Sequence, residues 1–365
     1  MDRGRLRRAV RAVLPPGARR RLRSLAGALH LRLRPHLPLA LRGDLPRVPQ
    51  PRTAVGHVVF AALGERSFGW GKMVPHRFLP PFCAVLAEHG LRSEFAFTPR
   101  QLARWDRDNV AVICVDNEDF DLERLRAAAP RMTRAVVFNP PQLGALIADK
   151  AQTNAHLSRH GIPVPRMVTA TEGQVFSNAV ASSGAEVRVV EAGARLDPDR
   201  YNTEFIDTRV GHGGQEYYSC LRLMCVNARV VAIHCRLRPT GDGSPSVHTR
   251  NTPRDPALIE ALHADLVERN RPRLEALAGD LFAALSPGFL AHDVLVERGT
   301  GALLVAETGV KFHNGGLEDH LSEFAADLPS YGDLFGGRGH RKAARAFVEE
   351  LRRLNVLPPG RSAPY

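Results

Sequence analysis

Short apolar runs alternate with helix-patterned stretches between about residues 53 and 140. HVVFAAL (57 to 63), SEFAF (93 to 97), VAVICVD (110 to 116) and RAVVFN (134 to 139) read as strands. Between them, HRFLPPFCAVLAEHG reads as a helix interrupted by its two prolines and DLERLRAAAP as a second helix. Alternation at this spacing predicts a small parallel α/β layer, with ligands expected at the strand ends. The segment GERSFGWGK (64 to 72) comes directly after the first strand and carries loose glycines. It is neither GxGxxG nor a Walker A sequence, since no Ser or Thr follows Lys72. It reads as a flexible loop on the substrate side.

Beyond residue 140 the pattern changes. Asp149 to His160 predicts one helix, closed by Gly161, and the prolines of IPVP (162 to 165) start an extended entry into the next domain. YYSCLRLMCVNARVVAIHCRLRP (217 to 239) alternates like a hairpin turning at Asn227-Ala228, with Arg222 opposite Arg236 or Arg238. Arg236 and Arg238, two residues apart, share a face. A long helix is predicted over 255 to 284. GFLAHDVLVE (288 to 297) and ALLVAETGVKFHN (302 to 314) then form a second hairpin across RGTG, which puts Asp293 and Glu307 on adjacent antiparallel strands. Two acids in otherwise apolar strands are costly to bury without a cation; the alternative is a pair exposed to water at the strand ends.

Composition narrows the picture. The chain has 365 residues, 44% of them hydrophobic and 24% charged, the balance of a globular protein with a sizeable core. No run of 18 apolar residues occurs, and the Arg-studded N-terminus lacks a signal-peptide pattern, so the expected compartment is the cytoplasm. Cys83, Cys114, Cys220, Cys225 and Cys235 form no CxxC pair and are expected to be reduced thiols packed in strands. The net charge of +12 is local. Residues 1 to 52 hold 14 of the 50 basic residues and only Asp2 and Asp44 among acids, leaving 36 of each sign in the body. This arm, 1–52, reads as two short basic amphipathic helices and a Pro-rich linker. It suits either contact with an anionic surface, hence a peripheral place at a membrane or on nucleic acid, or a solvated or packed appendage. Only four lysines occur, Lys72, Lys150, Lys311 and Lys342, against 46 arginines. No Ser/His/Asp or Cys/His spacing suggests a nucleophile motif.

The run DK…T…L…GIPVP (149 to 165) resembles the domain junction of the ATP-grasp superfamily, whose members use ATP to activate a carboxylate as an acylphosphate for attack by an amine or similar nucleophile. Further motifs occur in the family's order, over residues 57 to 325. The resemblance implies an α/β (α+β) fold: a small parallel α/β N-terminal domain (53–148), then two α+β subdomains (149–206 and 207–330) enclosing a nucleotide site, with a C-terminal helix and tail (331–365). It implies ATP and Mg²⁺ as cofactors and carboxylate and amine compounds, small molecules or peptides, as substrates. Lys150 matches the family's first phosphate contact, and TEFID (203 to 207) its hinge. There Glu204, Phe205 and Ile206 would meet the adenine and Asp207 the ribose. Asp293 and Glu307 would hold the metal, and Arg222 and Arg238 would serve the acylphosphate as catalytic arginines. Arg236, Lys311, Asn314 and, in the loop TGDGSPSVHTRNTP (240 to 253), His248 and Asn251 are candidate substrate contacts.

Two departures accompany the resemblance. Glu307-Thr308-Gly309 stands where the family has Glu-x-Asn, and no lysine lies between Val168 and Thr203, where the family carries one beside a Gly-rich flap. In AEVRVVEAGAR (185 to 195), Arg188 or Arg195 is the stand-in, a planar fork in place of a point charge. The expected function is thus an ATP-dependent carboxylate-amine or carboxylate-thiol ligase, with a non-catalytic nucleotide- or precursor-binding scaffold as the alternative.

Overall fold

The computed structural model describes residues 46–63, 75–115, 132–180 and 187–357. The basic arm up to residue 45, the loop 64 to 72 and the second predicted helix at 121 to 130 lie outside the described residues. Residues from Val48 onward group as one unit, to which every element named here belongs.

Four strands, β1 (Gly56–Ala61), β2 (Leu91–Ala96), β3 (Val110–Cys114) and β4 (Val136–Phe138), form a parallel sheet in the order β2-β1-β3-β4. All five residues of β3 are buried, as expected of a parallel strand covered on both faces. Val59, Ala61, Ala96, Val112 and Cys114 pack together on one side. Helix α1 (Pro75–Glu88) covers this layer and runs unbroken through Pro80 and Pro81, where the sequence predicts an interruption. An interior proline costs a helix about 3 kcal/mol. Here Phe78, Leu79, Phe82, Cys83, Val85 and Leu86 are all fully buried, and that packing outweighs the lost hydrogen bonds. A short helix, α2 (Pro99–Ala103), lies between β2 and β3.

Helix α3 (Pro141–Ile147) leads to α4 (Lys150–Arg159). The Asp149 side chain caps α4 by accepting from the Gln152 amide at 2.9 Å, and Gly161 comes next at φ +74°, as the junction sequence predicts. The chain then makes a small antiparallel sheet, β6-β5-β7, from β5 (Val175–Asn178), β6 (Arg188–Val190) and β7 (Tyr201–Glu204).

A larger sheet is ordered β10-β9-β11-β12, from β9 (Gln215–Val226), β10 (Arg229–Pro239), β11 (Phe289–Val296) and β12 (Leu303–Val310); β8 (Arg209–His212) pairs with the start of β9. The β9-β10 hairpin turns at Asn227-Ala228, with Asn227 at φ +53°. The tight turn sets Val226 opposite Arg229, and a single bulge between Val230 and Ala232 adds one residue. Arg222 therefore faces His234, whereas Arg236 faces Cys220 and Arg238 faces Tyr218. The predicted pairing of Arg222 with Arg236 or Arg238 would need a larger offset than one bulge provides.

The helix predicted over 255 to 284 is two: α5 (Pro256–Leu266) and α6 (Arg271–Ala284), separated by a 3₁₀ turn at Glu268–Asn270. Pro272 explains the break, being tolerated in the first turn of a helix but not inside one. Helices α7 (Gly315–Leu321) and α8 (Arg338–Arg353) complete the unit. Rings from α1, β4, β11 and α8 interlock around Phe289, which lies 5.7 Å from Phe82, 6.2 Å from Phe138 and 5.5 Å from Phe347 between centroids.

The entry to β11 is tied by two asparagines in the left-handed conformation. Asn139 (φ +52°) donates its side-chain amide to the Cys114 carbonyl at 3.2 Å and accepts from the Phe289 amide at 2.8 Å. The side chain of Asn227 accepts from the Gly288 amide at 3.0 Å and donates to Glu350 at 2.9 Å. Gly288 fills the space between them, and a Cβ there would lie 2.4 Å from Asn139 Oδ1.

Candidate nucleotide-type site

A cavity of about 520 Å³ opens between the small sheet and the large one, flanked by the start of α4. Its floor is the face of β9, β11 and β12 that carries Arg222, Asp293 and Glu307. Asp293 pairs directly with both of the others across the ladder. Its cover is Phe176, Asn178 and Tyr201 of the small sheet, with Val187 just before β6. Thr203 and Glu204 at the end of β7, with Phe205 and Ile206 beyond it, close one side. Pro245 to His248 of the loop after β10 close another.

Four cationic side chains line the cavity, Lys150, Arg222, Arg236 and Lys311, against three carboxylates, Glu204, Asp293 and Glu307. Lys150, the junction lysine, is buried in the first turn of α4. The densest cluster surrounds Asp293. Arg222 Nε lies 2.7 Å from Asp293 Oδ1 and its Nη2 3.0 Å from Oδ2, while Arg236 Nη2 lies 2.8 Å from Oδ1. Arg236 is only 4% exposed, and the same Nη2 is 3.1 Å from Cys220 Sγ. Burial acts to raise the Asp293 carboxyl, but the two guanidiniums outweigh it and hold it below the usual carboxylate range. Burial likewise acts to lower Arg236, and the Asp293 carboxylate reverses that, so the pair is charged. Cys220 is pushed up to about 11 by burial and stays a thiol. Glu307 differs. It is exposed on the cavity wall and makes no ion pair among the described residues.

Several predicted contacts sit off the cavity wall. Arg188 is exposed on the edge strand β6, and alternation turns the neighbouring Val187 to the cavity instead. Asp207 is taken by Arg209, whose Nε and Nη2 reach it at 2.9 and 2.7 Å, and this pairing holds its carboxyl low. Arg238 braces the loop after β10 through the Ser246 carbonyl at 3.0 Å. Asn251 accepts from the His248 amide at 3.0 Å, and Asn314 lies 3.2 Å from His234. In the hinge, the Glu204 and Phe205 amides donate to the carbonyls of Arg166 and Gln174. The Ile206 amide has no partner among the described residues. The side chain of Glu204 is paired with Arg166.

Sequence reasoning passed over Cys220, Phe176 and Tyr201. The period of two counted back from Arg222 could have found Cys220; Phe176 and Tyr201 carry no comparable signal. Tyr201 is fixed by the Asn154 side-chain amide, which donates to its hydroxyl at 2.8 Å.

A parallel layer thus comes first in chain order, and a capped junction helix, a small antiparallel sheet and a larger one with an acidic hairpin follow it around the cavity. This is the order of elements that the sequence resemblance implies. No protein-family model matches the chain, and no curated protein matches it. Among solved structures, the chain is similar to a RimK domain ATP-grasp protein from Sphaerobacter thermophilus, with 18% identity and a TM-score of 0.42 over 80% of this chain and 100% of that one. It is also similar to N5-carboxyaminoimidazole ribonucleotide synthetase from Thermotoga maritima, at 16% and 0.42 over 75% and 76%. D-alanine–D-alanine ligase from Bacillus anthracis matches at 12% and 0.46 over 83% and 98%.

The Mg²⁺ implied by the sequence resemblance meets a poor donor set. Among the described residues no group of three or more His, Cys, Asp or Glu side chains is placed to hold a metal. Both oxygens of Asp293 face guanidiniums. At the position after Glu307-Thr308, a glycine supplies no side-chain oxygen. The residues present do not fit a divalent ion in this arrangement.

Proposed function

We propose that the chain binds ATP in this cavity and uses it, as an ATP-grasp-type ligase does, to convert a substrate carboxylate into an acylphosphate that an amine or similar nucleophile then attacks. The observation that carries the reading is the division of the cavity: an apolar and aromatic cover opposite a floor that carries Arg222 and Arg236, with Lys311 just beyond β12 and Lys150 at the start of the flanking helix. An adenine-sized ring suits the first, and a polyphosphate the second. The carboxylate oxygen attacks the γ-phosphorus, ADP leaves, and the nucleophile displaces phosphate. Charge accumulates on the phosphoryl oxygens during transfer, and cations fixed beforehand stabilise it without reorganising.

The same observations support a second reading, a nucleotide-binding scaffold without turnover. It is favoured by the engagement of Asp293 with two arginines. Thermal melting of the full chain with ATP and ADP, together with ADP release over a panel of amino acids and amines, separates the two. Stabilisation with release supports the ligase, stabilisation alone the scaffold. A melting temperature unmoved by either nucleotide would sink both.

A further inference from the structure

We infer that this cavity binds its nucleotide without a divalent cation, because two guanidiniums already occupy the place and supply the charge that such an ion would. The inference rests on the nucleotide reading above and concerns how that site holds phosphate.

Both oxygens of Asp293 already lie at ion-pair distance from a guanidinium. A divalent ion of the magnesium type approaches carboxylate oxygens to about 2.0–2.1 Å and keeps near-octahedral geometry. Oδ1 of Asp293 has Arg222 Nε at 2.7 Å and Arg236 Nη2 at 2.8 Å, and Oδ2 has Arg222 Nη2 at 3.0 Å. An ion bound to Asp293 would sit beside two fixed guanidiniums, whose positive charges repel a dication. Arg236 is held in the ladder. It is 4% exposed, on a central stretch of β10, and its Nη2 is shared with Cys220. An arginine is charged at every working pH, so it cannot be neutralised to make room.

Charge supply points the same way as the crowding. Two guanidiniums bring the same formal charge as one Mg²⁺, and as planar donors they bond phosphate oxygens directly. Asp293 then acts as an anchor that aims both arginines at the cavity, rather than as a ligand. Glu307, across the ladder from Asp293 and without an ion pair among the described residues, is one carboxylate; a site held by it alone would bind a cation weakly. The Glu307-Thr308-Gly309 sequence is the counterpart of this geometry, since a third oxygen ligand is superfluous where no ion is held.

The experiment is calorimetric titration of the full chain with ADP and with ATP, each in EDTA and in Mg²⁺. Binding of Mn²⁺ alone is followed in parallel by water relaxation. The expected result is a Kd in EDTA within about threefold of that in Mg²⁺, and no saturable Mn²⁺ site. Asp293→Asn provides a test of opposite sign. The amide keeps an oxygen that accepts from the guanidiniums and so holds them in place, but it no longer offsets their charge, and affinity in EDTA should hold or rise; a ligand role for Asp293 predicts a fall in Mg²⁺. Nucleotide binding that weakens about tenfold or more when the metal is chelated would overturn the inference while leaving the nucleotide reading intact. Absence of binding in both media removes the nucleotide reading, and this inference with it. If Asp293→Asn fails to fold, the comparison of EDTA with Mg²⁺ on the unaltered protein decides alone.

Discussion

The two antiparallel sheets that face each other across the cavity are built to different standards. The small sheet has strands of three and four residues, its edge strand presents Arg188 to solvent, and none of the four cavity cations comes from it. The large sheet has strands of eight to twelve residues in its main ladder, with Arg222, Arg236 and Asp293 packed among apolar neighbours. A short, exposed sheet can shift at little cost, whereas charges fixed in a long buried ladder cannot. Recognition is thereby divided: the rigid floor sets where negative charge must lie, and the cover contributes contact area.

Substitutions should separate the two sheets sharply, beginning with stability. Asp293→Ala leaves two guanidiniums without their carboxylate and should lower unfolding free energy by about 3–5 kcal/mol in a urea titration. Arg188→Ala on the cover should change it by no more than about 0.5 kcal/mol. Comparable losses at the two positions would erase the distinction. Gly288→Ala forces a methyl against Asn139 Oδ1, and should cost about 1–3 kcal/mol while leaving the small sheet's exchange-protected amides as they are. Hydrogen exchange resolved by segment reads both effects. Phe176→Ala should do the reverse, weakening ATP binding by about tenfold with a melting temperature nearly unchanged.

The smallest effect is on pH. His292, whose Nδ1 lies 2.9 Å from Thr308 Oγ1, is held down to about 4 by burial, and His234 to about 3 by the same cause. Both are neutral when folded and take up a proton on unfolding once the pH drops below the ordinary histidine value, so stability should fall from about pH 6.5 downward. Asp293 has the usual carboxylate sign. Its low folded pKa stabilises above the ordinary carboxylate range, and that contribution disappears as acidification approaches the folded value. Denaturant midpoints measured from pH 7 to 4 should decline less in His292→Gln than in the parent; parallel curves would remove His292 from the account.

Much of this was legible in the chain itself. Asp149 and Gly161 mark the ends of α4 by capping chemistry that acts over three or four residues, and the hairpin around RGTG puts Asp293 and Glu307 on adjacent strands, although their direct pairing needs a bulge between Asp293 and Val294 that no local pattern marks. What stayed hidden depends on distant partners. The bulge after Val230 sets which arginines converge on Asp293, and no local pattern marks it. Pro80 and Pro81 read as breakers, yet the burial of Phe78 and Phe82 against rings from β11 and α8 decides the helix. Asp207 lies in the right motif, but Arg209, two residues on, claims its carboxylate.

The asparagine tie at the head of β11 bears on how the molecule comes to exist in time. Asn139 meets Phe289 across 150 positions of chain, and Asn227 meets Glu350 across 123. Closing such spans carries a loop entropy that local helices never face, which places these contacts late and makes them slow. During synthesis the parallel layer and the ladder that carries Asp293 can be made before α8, but the contact of Asn227 with Glu350 cannot form until that helix has left the ribosome.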